Sequence, residues 1–183
     1  MDSVTDPSLR QLLDSARNAH SNRSRAGFGS LHRHRSEDAS LIGLLANLAE
    51  CNAFIVIRLM SGAERRGRLV NAGTGAVELR TSQSGLSLIR TSAITSVRSA
   101  TPLLLDGDGR PRNSLSWFTA LATHLDRNDE LALLTNNEMV SGTVEGLSRS
   151  LLVLATADGG VIYAVVDAIE EVSISVPGSM RHD

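Results

Sequence analysis

The sequence predicts an all-β protein with short helices, built from two tandem copies of one five-stranded unit, each preceded by a helix. Three observations point there. First, Gly67 and Gly142, Leu79 and Leu154, Gly85 and Gly160, Ile94 and Ile169, and Val97 and Val172 all stand 75 positions apart. A shared, ungapped register over several apolar runs marks a duplicated unit, and missing a repeat misreads the whole fold. Second, the runs between these positions alternate apolar and polar residues with period two, as half-buried strands do. Third, Gly, Ser and Asn clusters separate the runs and supply turns.

Residues 1–39 form an Arg/His/Ser-rich tail. Leu9, Leu12 and Leu13 could share one stripe of a short helix. From Asn18 to Ser36 only Phe28 and Leu31 are sizeable apolar residues, too few to order the segment. The first unit spans 40–100. Its helix runs from about Ser40 to Glu50, capped by Asp38 or Ser40, with Leu41, Leu44, Leu45 and Leu48 as the apolar stripe. Five strands are expected at Ala53–Met60, Arg66–Val70, Val77–Thr81, Leu86–Arg90 and Thr95–Arg98.

Residues 101–115 read as a linker. Its Asp106-Gly107-Asp108-Gly109 opens like a calcium loop but lacks the later acidic ligands such a loop needs, so a polar turn is expected. The second unit spans 116–176, with a short C-terminal tail at 177–183. Ser116 caps its helix, and Trp117, Phe118, Leu121 and Leu125 form the inner side. Here the register shifts by one, so that Leu45 matches Leu121. Strands are expected at Glu130–Thr135, Val140–Glu145, Leu151–Thr156, Val161–Val166 and Glu171–Ser175.

At 183 residues the chain has room for one or two small domains. A unit of about sixty residues is marginal as an isolated core, so the two should pack on each other or on neighbouring chains. No apolar run reaches membrane-spanning length, the N-terminus has no secretory h-region, and Cys51 is the only cysteine. A soluble cytoplasmic protein is the expectation. All eighteen cationic side chains are arginine and none is lysine. A GC-rich genome explains that, and so does selection for bidentate phosphate contacts; composition does not separate the two.

Charge is unevenly placed. Residues 41–100 carry seven Arg against Glu50, Glu64 and Glu78, a balance of +4, whereas residues 116–176 carry Arg127 and Arg149 against nine acids, a balance of −7. Asymmetry of this kind bears on association and partners.

The second expected strand contains Gly67-Arg68-Leu69-Val70-Asn71, followed by Val77-Glu78-Leu79, and the fourth ends in Ile89-Arg90-Thr91-Ser92-Ala93-Ile94. This resembles the two motifs of the Sm-like proteins (Sm, Lsm and Hfq), with Thr91 where that family has glycine. The second unit keeps Gly142-Thr143-Val144 and Ala168-Ile169 but has Val165 in place of the arginine. The resemblance implies two tandem Sm-like five-stranded barrels and binding of RNA. A glycine in a sharply curved strand fits a small barrel, because the position cannot hold a Cβ.

The family holds uridine between the loops after strands two and four, with an Asp, an Asn and a stacking side chain. Here the Asp position falls at Gly73 and the Asn position at Val77, and Ala72–Ala76 contains no stacking side chain. Of that pocket Arg90 remains. The RNA contacts implied are Arg90, Thr91, Asn71, Gly73, Thr74, Arg66 and Arg68, with Arg23, Arg25, Arg33 and Arg35 of the tail on phosphates. Arg58, Arg66, Arg68 and Arg80 fall on the polar phase of their strands, which is either a solvated face or a basic groove for nucleic-acid backbone.

No catalytic constellation is visible. His32 and His34 form an HxH pair without a third or fourth ligand, so no metal is expected. Gly73-Thr74-Gly75 has neither phosphate-loop nor dinucleotide spacing, and no cofactor is expected. Trp117 and Phe118 read as core. The chain is therefore expected to be a non-catalytic homo-oligomer, its barrels closing into a ring, for instance six barrels from three chains. It would bind RNA through the first unit and the tail, or serve as a protein-interaction scaffold without the base pocket.

Overall fold

The structure is a computed structural model and describes residues 40–81, 85–100 and 115–174. Helix α1 (Leu41–Glu50) precedes strands β1 (Phe54–Leu59), β2 (Glu64–Ala72), β3 (Ala76–Arg80), β4 (Leu86–Arg90) and β5 (Ile94–Ser99). Helix α2 (Trp117–His124) precedes β6 (Glu130–Thr135), β7 (Glu138–Leu147), β8 (Leu151–Ala155), β9 (Val161–Val165) and β10 (Ile169–Ile174). Ser40 and Ser116 cap the helices, their hydroxyls accepting from the backbone N–H groups of Gly43 and Thr119. Each cap satisfies one of the orphan donors of a first helical turn.

The ten strands form one open antiparallel sheet in the order β5-β1-β2-β3-β4-β10-β6-β7-β8-β9. The expected pair of closed five-stranded barrels is therefore corrected, and the small-barrel resemblance loses its structural support. The reason lies in the free edge of β4. Its ladder groups find β10 of the other unit, with Leu86, Ser87, Leu88 and Ile89 opposite Ile174, Ser173, Val172 and Glu171. Among the described residues strand β5 pairs only with β1, and β9 only with β8. The duplication persists in a different form, since β5-β1-β2-β3-β4 and β10-β6-β7-β8-β9 are the same permutation.

One sheet carries two cores. Leu45 and Leu48 of α1 pack with Ile55, Ile57, Leu59, Leu69, Leu79 and Ile89. Trp117 and Leu121 of α2 pack with Leu131, Leu133, Leu152, Leu154, Val166 and Val172. Strands β3 and β4 serve both. Val77, Leu79 and Ile89 face the first core, whereas Ala76 and Leu88, on the alternate phase, belong to the second. Successive side chains of a strand point to opposite faces, so the two cores lie on opposite sides of the sheet where they meet. Double burial also explains why Ala76, Val77, Glu78 and Leu79 are all buried, as in strands covered on both faces.

Polar contacts lock the joint. Glu171, only 1% exposed, accepts from Arg65 Nε at 2.6 and 2.7 Å, from Ser87 Oγ at 2.6 Å and from Ser173 Oγ at 3.1 Å. His124 Nε2 lies 3.0 Å from Glu78 Oε1, and Glu170 Oε2 accepts from the Ser61 N–H at 3.2 Å. In the Arg65–Glu171 pair the opposite charges of the two units meet inside one chain.

Candidate functional site

The loops after β2 and β4 do converge. The Thr91 hydroxyl donates to the Gly73 carbonyl at 3.2 Å, and its N–H donates to the Gly75 carbonyl at 3.1 Å. Their meeting point is occupied by the start of α2. Gly75 N–H donates to the Leu115 carbonyl at 2.9 Å, and a Cβ on Gly73 would stand 2.5 Å from Leu115 Cβ. Gly73 and Thr91 are buried, Asn71 is half-buried opposite Glu78 at a bulge, and Thr74 is exposed. Arg90 turns to the other unit, its guanidinium donating to the Asp167 carbonyl. Arg23, Arg25, Arg33 and Arg35, the HxH pair and the Asp106–Gly109 segment lie outside the described residues.

Arg66 and Arg68 have a different setting. Both are exposed on the face of β2 turned away from the first core. Phe54, Arg68 and Arg80 stand in one cross-strand row over β1, β2 and β3, and Arg98, Val56 and Arg66 form the next row over β5, β1 and β2. Phe54 is 49% exposed. On β2 the acid of this face is Glu64, held by Arg98 at 2.6 Å and by Arg66 at 3.7 Å, and on β3 it is the buried Glu78, paired with His124. Arg68 donates to the Asn52 carbonyl at 3.2 Å. The sequence pointed to the arginines through their polar phase. It did not single out Phe54, although its place in the β1 alternation puts it on that phase.

The corresponding place in the second unit is a shallow groove of about 460 Å³, lined by Glu130, Ser141, Thr143 and Ala155 among others. Small side chains leave it open, where the first unit has Phe54, Arg66, Arg68 and Arg80.

The third surface is the edge strand β9. Val161, Tyr163 and Val165 point outward and are 52%, 67% and 53% exposed, with Leu151 of β8 beside Val165. Ladder groups unpaired among the described residues, together with uncharged, β-prone side chains, make an edge that templates pairing. The sequence placed a strand here but gave no sign that it would be an edge.

Among the described residues no group of three His, Cys, Asp or Glu side chains could hold a metal ion, and no helix is long and apolar enough to cross a membrane. No protein-family model matches the chain, and no curated protein matches it.

Proposed function

We propose that this chain is a non-catalytic assembly module that joins copies of itself head to tail, β9 of one copy pairing with β5 of the next. One observation carries the reading. A shift of 75 positions maps Ala76, Leu86, Leu88 and Arg90, which line the internal joint, onto Leu151, Val161, Tyr163 and Val165, which are exposed. The same shift maps β5 onto β10. The two edges, open among the described residues, are thus the same kinds of strand that already pair once within the chain.

Repeating the joint between copies sets Tyr163 opposite Val97, as Leu88 stands opposite Val172. The seam needs no buried ion pair, because Val140, Ile162 and Ser96 occupy the places of Arg65, Ser87 and Glu171. Charge selects the direction. A β9-to-β9 contact would bring together two units of balance −7, and a β5-to-β5 contact two of +4, whereas head-to-tail pairing sets opposite signs together. Such an interface closes into a ring or runs on as a filament according to the rotation per copy. A cytoplasmic setting and partners beyond a second copy remain part of the proposal.

The test is light scattering after size exclusion, at micromolar concentration and moderate salt. The parent is expected to elute as an oligomer and Tyr163→Arg as a folded monomer with unchanged far-UV circular dichroism. A monomeric parent sinks the reading.

A further inference from the structure

We propose that the outward face of β1–β3 in the first unit is a binding site for single-stranded nucleic acid. A base stacks on Phe54, and Arg66, Arg68 and Arg80 hold the phosphates. The geometry is that of an open platform. Phe54, Arg68 and Arg80 occupy neighbouring strands in one row, at the roughly 4.8 Å spacing of a sheet, and Arg66 lies two residues along from Arg68, roughly 6.6 Å away. An exposed aromatic ring flanked by guanidinium groups offers what an unstacked base and its backbone require.

A lone exposed phenylalanine means little, so the internal duplicate matters. The same register positions in the second unit are Glu130, Ser141, Thr143 and Ala155. Between the copies the apolar strand positions of the cores keep their character, while this patch turns from acidic and small to aromatic and basic. Among the described residues no acid pairs with Arg68 or Arg80, and Glu64 is already shared by Arg98 and Arg66. The cations are therefore available to a ligand.

A duplex keeps its bases stacked and cannot use Phe54 in this way, so the ligand is single-stranded. With the three arginines on phosphates, none of the four residues is left to read base edges, so recognition is tolerant of sequence. The site is separate from the loops closed by α2. It also stays open in the head-to-tail assembly, because its counterpart row borders an open groove although β10 is already paired. Its success or failure is thus independent of self-association.

The experiment is fluorescence anisotropy of the full chain with a labelled mixed-sequence RNA of about 20 nucleotides, single-stranded or annealed, at two salt concentrations. It is run on the parent and on Tyr163→Arg. Single strands are expected to bind more tightly than duplex. The triple variant Arg66→Ser/Arg68→Ser/Arg80→Ser should weaken binding at least tenfold and flatten the log–log salt slope by about 2, at roughly 0.7 per phosphate on a single strand. Phe54→Ala should weaken it roughly 5- to 150-fold with the slope unchanged, and Phe54→Tyr should restore it. All these positions are exposed, and circular dichroism checks that the variants fold. Triple-variant binding within twofold of the parent places the contact elsewhere and overturns the proposal. So does indifference to Phe54→Ala, equal affinity for duplex, or binding of phosphatidylserine vesicles through these residues with none of RNA.

Discussion

Glu171 is a carboxylate out of water, held by one guanidinium and by two hydroxyls from β4 and β10. Removing its cation strands a buried charge, which costs far more than losing a surface pair. Arg65→Met should lower unfolding stability by about 3–5 kcal/mol in a urea titration. The double change Arg65→Met/Glu171→Leu should recover most of that, because the carboxylate then needs no solvation. A single-variant loss below about 1 kcal/mol would mean the pair behaves as an exposed one. Unit-level charge asymmetry was legible in the sequence, but this pair was not. Its partners are 106 positions apart, and only the β4–β10 joint brings them together. A second carboxylate, Asp158, sits in an exposed turn where the Thr156 hydroxyl, then the Gly160 N–H, hold its pKa below the ordinary 3.8. A lowered folded-state value adds stability above the ordinary pKa and loses it as pH falls through the folded one. The turn should thus weaken only in acid. An NMR titration should give Asp158 a midpoint below 3.8, and Thr156→Val should raise it.

Strands were read well from alternation because each unit keeps one face on its own core. Leu86–Arg90 and Glu130–Thr135 coincide with the expected ranges, and β2 and β7 run longer at both ends. What alternation leaves open is which strand lies beside which, since β4 and β10 meet through tertiary packing between distant segments. The glycines show the same limit. The sequence assigned Gly67 to a strand curving to close a barrel. What needs it is the Arg80 carbonyl of β3, which would stand 2.3 Å from a Cβ at that position, and at Gly142 the Ala155 carbonyl would stand 2.6 Å away. Both neighbours are backbone, so the strands themselves must part. Gly67→Ala should destabilise by about 1–3 kcal/mol, the range for overpacking, and more than Gly142→Ala, as thermal unfolding of the two variants would show. Equal, negligible effects would mean that the sheet spreads there at no cost. The candidate contact residues divide along the same line. Arg66 and Arg68, placed by strand phase, are open to solvent, while Gly73 and Thr91, placed by likeness of motif, are buried where Leu115 leads into α2.

At the scale of the molecule, the shared strands make two small cores into one. Either unit alone would expose what the other covers: Ala76 and Leu88 of the first unit lie in the second core, and Leu134 of the second lies in the first. A core of about sixty residues is marginal alone, and β4 cannot leave one core without leaving both. Unfolding should therefore be a single transition, and Trp117, the only tryptophan, reports on it from the second core. Leu79→Ala removes a fully buried side chain from the first core, at a cost of about 2–5 kcal/mol. Its effect should appear undiminished at Trp117, with the fluorescence midpoint in urea moving by as much as the far-UV circular dichroism midpoint. A fluorescence midpoint that stays in place while the dichroism splits into two steps would mean that the joint is a contact between independent domains. Coincident shifts would mean that the β4–β10 ladder, the double-faced β3 and β4, and the buried Arg65–Glu171 pair act as one cooperative seam, so that Leu79, on the opposite side of the sheet from Trp117, still sets the stability of the second core.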